Sequence, residues 1–286
     1  CQRPWSAATC AAASNASGSA SGASSGSSIA AAIVVTVRAL ADEDAARTAA
    51  PFVAVAPSAI WIAVSADGYF AGVAAWGITL LALAVTARVR LPWLAAVGAG
   101  LLLGWGIFLN YGLGLIALPA IAVLISAATW RAALTALAPA VLAALAVVGV
   151  FALAGFWWFD GYLLVQERYW QGIANDRPFQ YWGWANLAST VCAIGLGSVA
   201  ALARAFDLAA VKRRSGLHLL VLAALLAILF ADLSRLSKAE TERIWLPFTV
   251  WLVAATALLP RPSLRFWLAL NVIGALALNH FILTNW

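Results

Sequence analysis

Apolar runs of membrane length recur along the chain from about residue 51 onward, separated by short polar turns. Ala, Leu, Val and Gly dominate them, and they lack the two-residue alternation of a half-buried strand. A backbone amide in hydrocarbon must pair within its own segment or in a closed barrel, so this pattern predicts helices. Ten segments can be drawn, at about 28–41, 50–66, 69–87, 92–108, 112–128, 132–155, 185–204, 217–231, 244–260 and 264–282. The first is short against the roughly 20 residues that a span needs. Pro51 and Pro92 stand where a first helical turn tolerates a missing amide, and the Arg261-Pro262 step ends another helix. The expected fold class is all-α, a polytopic integral membrane protein of about ten membrane helices.

Composition agrees with the pattern. Of 286 residues, 64% are hydrophobic and only 10% charged, which exceeds the apolar share of an ordinary soluble chain. Residues 1–28 are rich in Ser, Ala and Gly and lack a basic region followed by an apolar one, so they read as a disordered tail ahead of a multi-helix domain at 29–286. The chain contains no methionine, which points to a fragment, a processed form or a translation from an uncertain start. Cys1, Cys10 and Cys192 have no metal-ligand spacing and indicate neither a disulfide framework nor a zinc site.

Alternating the segments across a bilayer sorts the connections by charge. One side collects eleven Lys and Arg residues, from Arg38 to Arg265, against four acids, Asp42, Glu43, Asp44 and Asp207. By the positive-inside rule that side is cytoplasmic, and the net charge of +6 is explained by orientation rather than by nucleic acid. The other side collects five basic residues against seven acidic ones. A plasma-membrane protein with an acid-rich outer face is expected.

Three outer features are candidates for chemistry. Asp67 lies in the tight connection Ser65-Ala66-Asp67-Gly68, where it either caps the next helix or acts as a carboxylate at the membrane edge. The loop at 156–184 holds eleven aromatic residues among its 29. It reads either as an interfacial belt or as a lid whose rings, Tyr169 and Trp170 among them, stack on sugar or isoprenoid while Asp160, Glu167, Arg168, Asp176 and Arg177 bond hydroxyls or phosphate. The third feature is the charge cluster from Lys238 to Arg243, four ionisable groups in six positions ahead of an apolar run. Ser237 and Glu240 have capping-box spacing, while Lys238 with Glu242 and Glu240 with Arg243 have helix-pair spacing. Arg243 sits at the depth of lipid phosphate, where a guanidinium either snorkels or holds phosphate oxygens in a fork. His218 and His280 are isolated, and no phosphate loop or HExxH motif occurs.

Three pieces of the chain, PSAIWIAVSADGYFAGVAAWG (57–77), GLLLGWGIFLNYGLGLIAL (100–118) and LSKAETERIWLPF (236–248), resemble actinobacterial GT-C glycosyltransferases. With the helix order, the likeness spans most of 29–282. It implies a polytopic enzyme that takes sugar from a polyprenyl-phosphate carrier at the outer membrane face and gives it to a cell-envelope glycan or glycolipid. In such enzymes an acid in the first outer loop usually acts on the acceptor, and a further acidic motif lies in the second. If segment 28–41 runs outside to inside, Asp67 falls in the second outer loop, and the family's first helix and principal catalytic acid lie outside this chain. The resemblance then gives Asp67 the part of a catalytic or supporting acid or metal ligand, and Arg243 with Lys238 that of a carrier-phosphate site. Glu240 and Glu242 would orient the arginine or the sugar. Metal dependence stays open, with a divalent ion as one option. Membrane lipid, a lipid-linked donor and a glycan acceptor are the partners implied. The rivals are a transporter or flippase of lipid-linked sugars, which should carry polar groups through the midplane, and a non-catalytic membrane protein.

Overall fold

The computed structural model describes residues 26–282, so all but the last three residues of the Ser-rich tail, together with Cys1 and Cys10, lie outside the described residues. Residues 26–28 open the first helix instead of belonging to a tail. Among the described residues every regular element is helical. The chain runs through α1 (Gly26–Leu40), α2 (Glu43–Ala54), α3 (Ala59–Ile62), α4 (Ala66–Val85), α5 (Pro92–Leu109), α6 (Ala117–Ile125) and α7 (Trp130–Leu153). It continues through α8 (Trp158–Gln171), α9 (Phe179–Ile194), α10 (Leu196–Ala205), α11 (Leu208–Lys212), α12 (Gly216–Leu233), α13 (Thr241–Ile244), α14 (Leu246–Val253) and α15 (Leu264–Phe281). Short 3₁₀ turns occupy Tyr111–Ile116, Ala254–Leu258 and Arg261–Ser263.

Five helices among the described residues are long and apolar enough to cross a membrane, and a sixth is gained if α9 and α10 count as one span. The ten apolar segments are all at least partly helical, but half of them are short or broken. Segment 50–66 is interrupted around Pro57 between α2 and α3, segment 112–128 begins as a 3₁₀ turn, and segment 244–260 divides into α13, α14 and a 3₁₀ turn. Hydropathy reports apolar length and is blind to the backbone breaks that decide whether one helix results.

The sharpest break is at Gly195, where φ is +79° and α9 and α10 diverge by 104°. Polar groups opened by such a break inside an apolar bundle need partners. Asn271 of α15 supplies one, its Oδ1 accepting the Gly197 amide at 2.7 Å, and the Ser58 amide donates to the Ala193 carbonyl at 2.8 Å. A Cβ on residue 195 would stand 2.8 Å from Asn271 Oδ1, so glycine is required for both its backbone angle and its space.

Burial does not follow hydropathy. α7 is the most hydropathic of the five long helices yet is nearly bare, and in α15 only Asn271 is buried. The centre is α14, in which every residue from Leu246 to Val253 is buried, together with α4 and the inward face of α12. Helices surrounded by hydrocarbon gain nothing from hiding leucine, so close packing selects small residues. α5 shows this against α7: a Cβ on Gly100 would meet the Ala140 carbonyl oxygen at 2.0 Å, and one on Gly104 the Ala144 Cα at 2.8 Å. Across α1 and α4, buried Thr36 and Thr79 share a hydroxyl bond of 2.9 Å.

Charged groups pair in two separate places. At one end Arg38 pairs with Glu43 at 2.7 Å and Arg261 with Asp44. The other end gathers Asp67, Asp232, Glu240 and Arg243.

Gly100→Ala is expected to force α5 and α7 apart and to cost about 1–3 kcal/mol, the range for overpacking. Gly149→Ala in α7, where an added Cβ meets nothing within 4 Å, should be neutral or stabilising. Heat unfolding of both variants in one detergent checks the contrast.

Candidate functional site

Asp67 and Arg243 stand 176 positions apart and meet at 2.7 Å, guanidinium Nη1 to carboxylate Oδ2. The sequence places Asp67 in a connecting loop, either as a helix cap or as a carboxylate at the membrane edge. Instead Ser65 is the N-cap residue, its hydroxyl is committed to the Trp61 carbonyl at 2.9 Å, and Asp67 lies inside the first turn of α4. There its charge faces the positive end of the helix, and its carboxylate is free to reach Arg243. Asp67 is buried, and Arg243 keeps 28% of its side chain exposed.

Glu240 takes the other guanidinium nitrogen, Nη2, as the three-residue spacing predicts. Burial disfavours the Arg243 charge, but bonds from Asp67 and Glu240 outweigh it and hold the group above its ordinary range. Arg243 is therefore a charged cation braced by two carboxylates, with 28% of its side chain exposed.

The capping box does not form. The helix begins at Thr241 with Glu240 as its N-cap residue in the left-handed region, φ +60°, and no side chain caps it. Ala239 is left-handed as well, at φ +72°. Two successive non-glycine residues in that region cost about 1–2 kcal/mol each and persist only where their surroundings hold them. The restraint comes from α9 and the turn before it. Asn186, fully buried, donates to the Ser237 carbonyl at 2.9 Å and accepts the Ala239 amide at 3.3 Å, while Arg177 donates to the Lys238 carbonyl at 2.5 Å. Three consecutive residues are thus pinned by side chains from elsewhere.

Lys238 faces away from Arg243. It is buried, its ammonium donates to the Ala174 carbonyl at 3.0 Å, and it rests over the Trp170 ring at 4.7 Å. The expected Lys238–Glu242 pair is replaced by this contact because the residues before Thr241 are not helical. Glu242 accepts instead from Ser189 of α9 at 2.8 Å.

The aromatic segment 156–184 is more ordered than a loop. Its centre is α8, an interfacial helix none of whose residues is buried. The Trp158 indole donates to the Ile107 carbonyl at 2.8 Å and stacks on Tyr162, and Gly161 leaves room for the Tyr111 hydroxyl. Leu163 and Leu164, each 62% exposed, point outward. At the far end Trp170 covers the Lys238 ammonium, with Tyr169 beside it. Arg177 also lies over the Trp182 ring at 5.2 Å. Asp160 and Asp176 are exposed and form no ion pair among the described residues.

Sequence reasoning passed over Asn186, Ser189 and Asp232. Asp232 is buried at the end of α12 and accepts from Asn186 at 2.8 Å, which ties a second carboxylate to the same strained loop. A lone amide in an apolar helix and a lone acid ending one were the available signals. Beside Asp67, the residues Gly68, Tyr69, Gly72, Val73 and Trp76 of α4 line a mostly apolar cavity of about 410 Å³ with Ser28 and Leu102. Among the described residues no three His, Cys, Asp or Glu side chains gather in metal-binding geometry.

Comparison with models of known families, with curated proteins and with solved structures finds no match to this chain. The site is therefore read from its own chemistry.

Arg243→Ala would leave the Asp67 carboxylate buried and unpaired, and should destabilise by about 3–5 kcal/mol. Adding Asp67→Asn should recover part of that loss, giving a coupling of about 1–3 kcal/mol in a double-mutant cycle of unfolding. Burial also raises the Tyr169 phenol above its ordinary value of 10.0, with the Lys238 backbone and the Arg177 charge opposing. The folded state then binds that proton more tightly than the unfolded state, so the contribution is whole below the ordinary value and fades as pH rises through the raised one. Tyr169→Phe should show a shallower alkaline loss of stability in a pH series of unfolding midpoints.

Proposed function

We propose that the chain is a membrane glycosyltransferase of the GT-C type, which moves sugar from a polyprenyl-phosphate carrier to an envelope glycan or glycolipid at the outer face. The observation that carries this reading is Arg243. It is a guanidinium fixed in direction by Asp67 and Glu240, partly exposed, and set at the rim of an apolar bundle. Such a cation suits a lipid-linked phosphate, whose charge it meets at the rim while an isoprenoid chain lies against the apolar wall.

In the proposed reaction an acceptor hydroxyl attacks the anomeric carbon, the new carbon–oxygen bond forms, and the carrier phosphate leaves with the electrons of the broken bond. Arg243 stabilises the charge growing on that phosphate. Asp67 acts through Arg243 as a positioning carboxylate, since its Oδ2 already accepts the guanidinium. The acceptor proton passes to a carboxylate, for which Glu240, Glu242 and Asp232 are the candidates near Arg243. No step is routed through a metal, because among the described residues no donor groups gather around one.

The transporter reading draws its support from the α9–α10 break, since bent helices with polar partners near the midplane occur in transporters. The ionisable residues nevertheless stand at the helix ends, which favours interfacial chemistry.

Membranes carrying the full chain should transfer labelled sugar from a polyprenyl-phosphate donor into a glycan or glycolipid fraction. Arg243→Ala should lower turnover about 10²-fold, the scale of a lost charge-stabilising group, with Arg243→Lys between. Movement of the intact lipid-linked sugar across the membrane without transfer would overturn the enzyme reading.

A further inference from the structure

At the end of the bundle opposite Arg243, α2 and α15 diverge around a groove of about 230 Å³. Its rim is basic, with Arg47 on α2, Arg261 on the preceding turn and Arg265 on α15, and its floor is apolar, with Phe52 and Leu268. The order follows from helix spacing. On α2 the series Arg47, Pro51 and on α15 the pair Arg265, Leu268 each descend one face by steps of three or four, from charge at the bundle end to apolar surface toward its middle.

The charges around this rim are unevenly satisfied. Asp44 pairs with Arg261 and fixes the turn to α2. Glu43 is shared between Arg38 at 2.7 Å and Arg47 at 3.1 Å. Arg265 has no ion-pair partner among the described residues. Two guanidiniums, on Arg47 and Arg265, therefore flank the groove with capacity for an anion. Below them α15 is almost bare, Asn271 being its only buried residue. A ligand with a negative head and an apolar body matches both surfaces at once, whereas a soluble anion would use only the rim.

We infer that this groove binds one anionic phospholipid, with its phosphate between Arg47 and Arg265 and its chains along the apolar face of α15. The site is independent of the transferase reading, and depends only on the bundle lying in a bilayer. Anionic lipid near basic side chains at a membrane surface is attracted by each of them, and a groove between helices adds a fixed geometry to that attraction.

The test uses the full chain in nanodiscs of phosphatidylcholine, with and without phosphatidylglycerol. Phosphatidylglycerol should raise the heat-unfolding midpoint read by tryptophan fluorescence. The Arg47→Ala/Arg265→Ala pair should lose that increment while keeping the midpoint in phosphatidylcholine alone. Arg265→Gln, which leaves the α2 ion pairs intact, should lose about half of it. Retention of phosphatidylglycerol in native mass spectrometry should fall about fivefold for each arginine removed. Arg88→Ala/Arg90→Ala, between α4 and α5 at the same end, should change neither readout. Three results would overturn the inference: an undiminished increment in the Arg47/Arg265 pair, an equal loss in the Arg88/Arg90 pair, or an equal increment from sodium phosphate in phosphatidylcholine nanodiscs. The second would mean diffuse attraction to the surface, and the third a site for soluble anions.

Discussion

Arg243, a partly buried guanidinium at the end of an apolar bundle, is held by a carboxylate from the far side of the sequence. Its bond to Asp67 closes α4 onto the start of the central α13–α14 segment. Breaking it would leave a buried carboxylate facing apolar surroundings, which is why the pair constrains more than its two residues. The direction of Arg243 follows from that contact, while the path of the loop before it is set by Asn186 and Arg177.

The same economy governs the backbone. This bundle contains several interrupted helices, and at the described breaks the exposed amides find partners within the fold: Asn271 at Gly197, Ala193 for Ser58, and Asn186 for Ala239. Asn186 and Asn271 are both fully buried in predominantly apolar helices. Each stabilises an irregular segment on another element, so a single buried amide fixes where a chain may turn inside the membrane. Asn186 also joins Asp232 to the loop that leads to Arg243. The strained pair Ala239 and Glu240 is thereby kept in a conformation that presents Glu240 to the guanidinium.

The all-helical class and the presence of membrane-capable apolar helices are legible from residue type alone. Apolar runs without alternation have one hydrogen-bonding solution in lipid, and charge is tolerated only at their ends. The Glu240–Arg243 contact also follows from spacing. By contrast, Ser237 and Glu240 satisfy the letter of a capping box but lie in a segment whose helix begins later, and Lys238 turns toward Trp170 and Ala174. Local patterns assume a continuous helix, and here contacts from α8 and α9 set its start.

From sequence alone come the helices and the membrane-like composition, because each depends on the transfer of side chains and amides between water and hydrocarbon. Tertiary structure decides which apolar runs become unbroken helices, which of them fill the centre, and which carboxylate meets which cation. Those outcomes depend on volume and direction at contacts between distant residues. Gly100 under Ala140, Gly195 beside Asn271 and Asp67 against Arg243 are fixed by packing geometry, which residue type and local spacing do not encode.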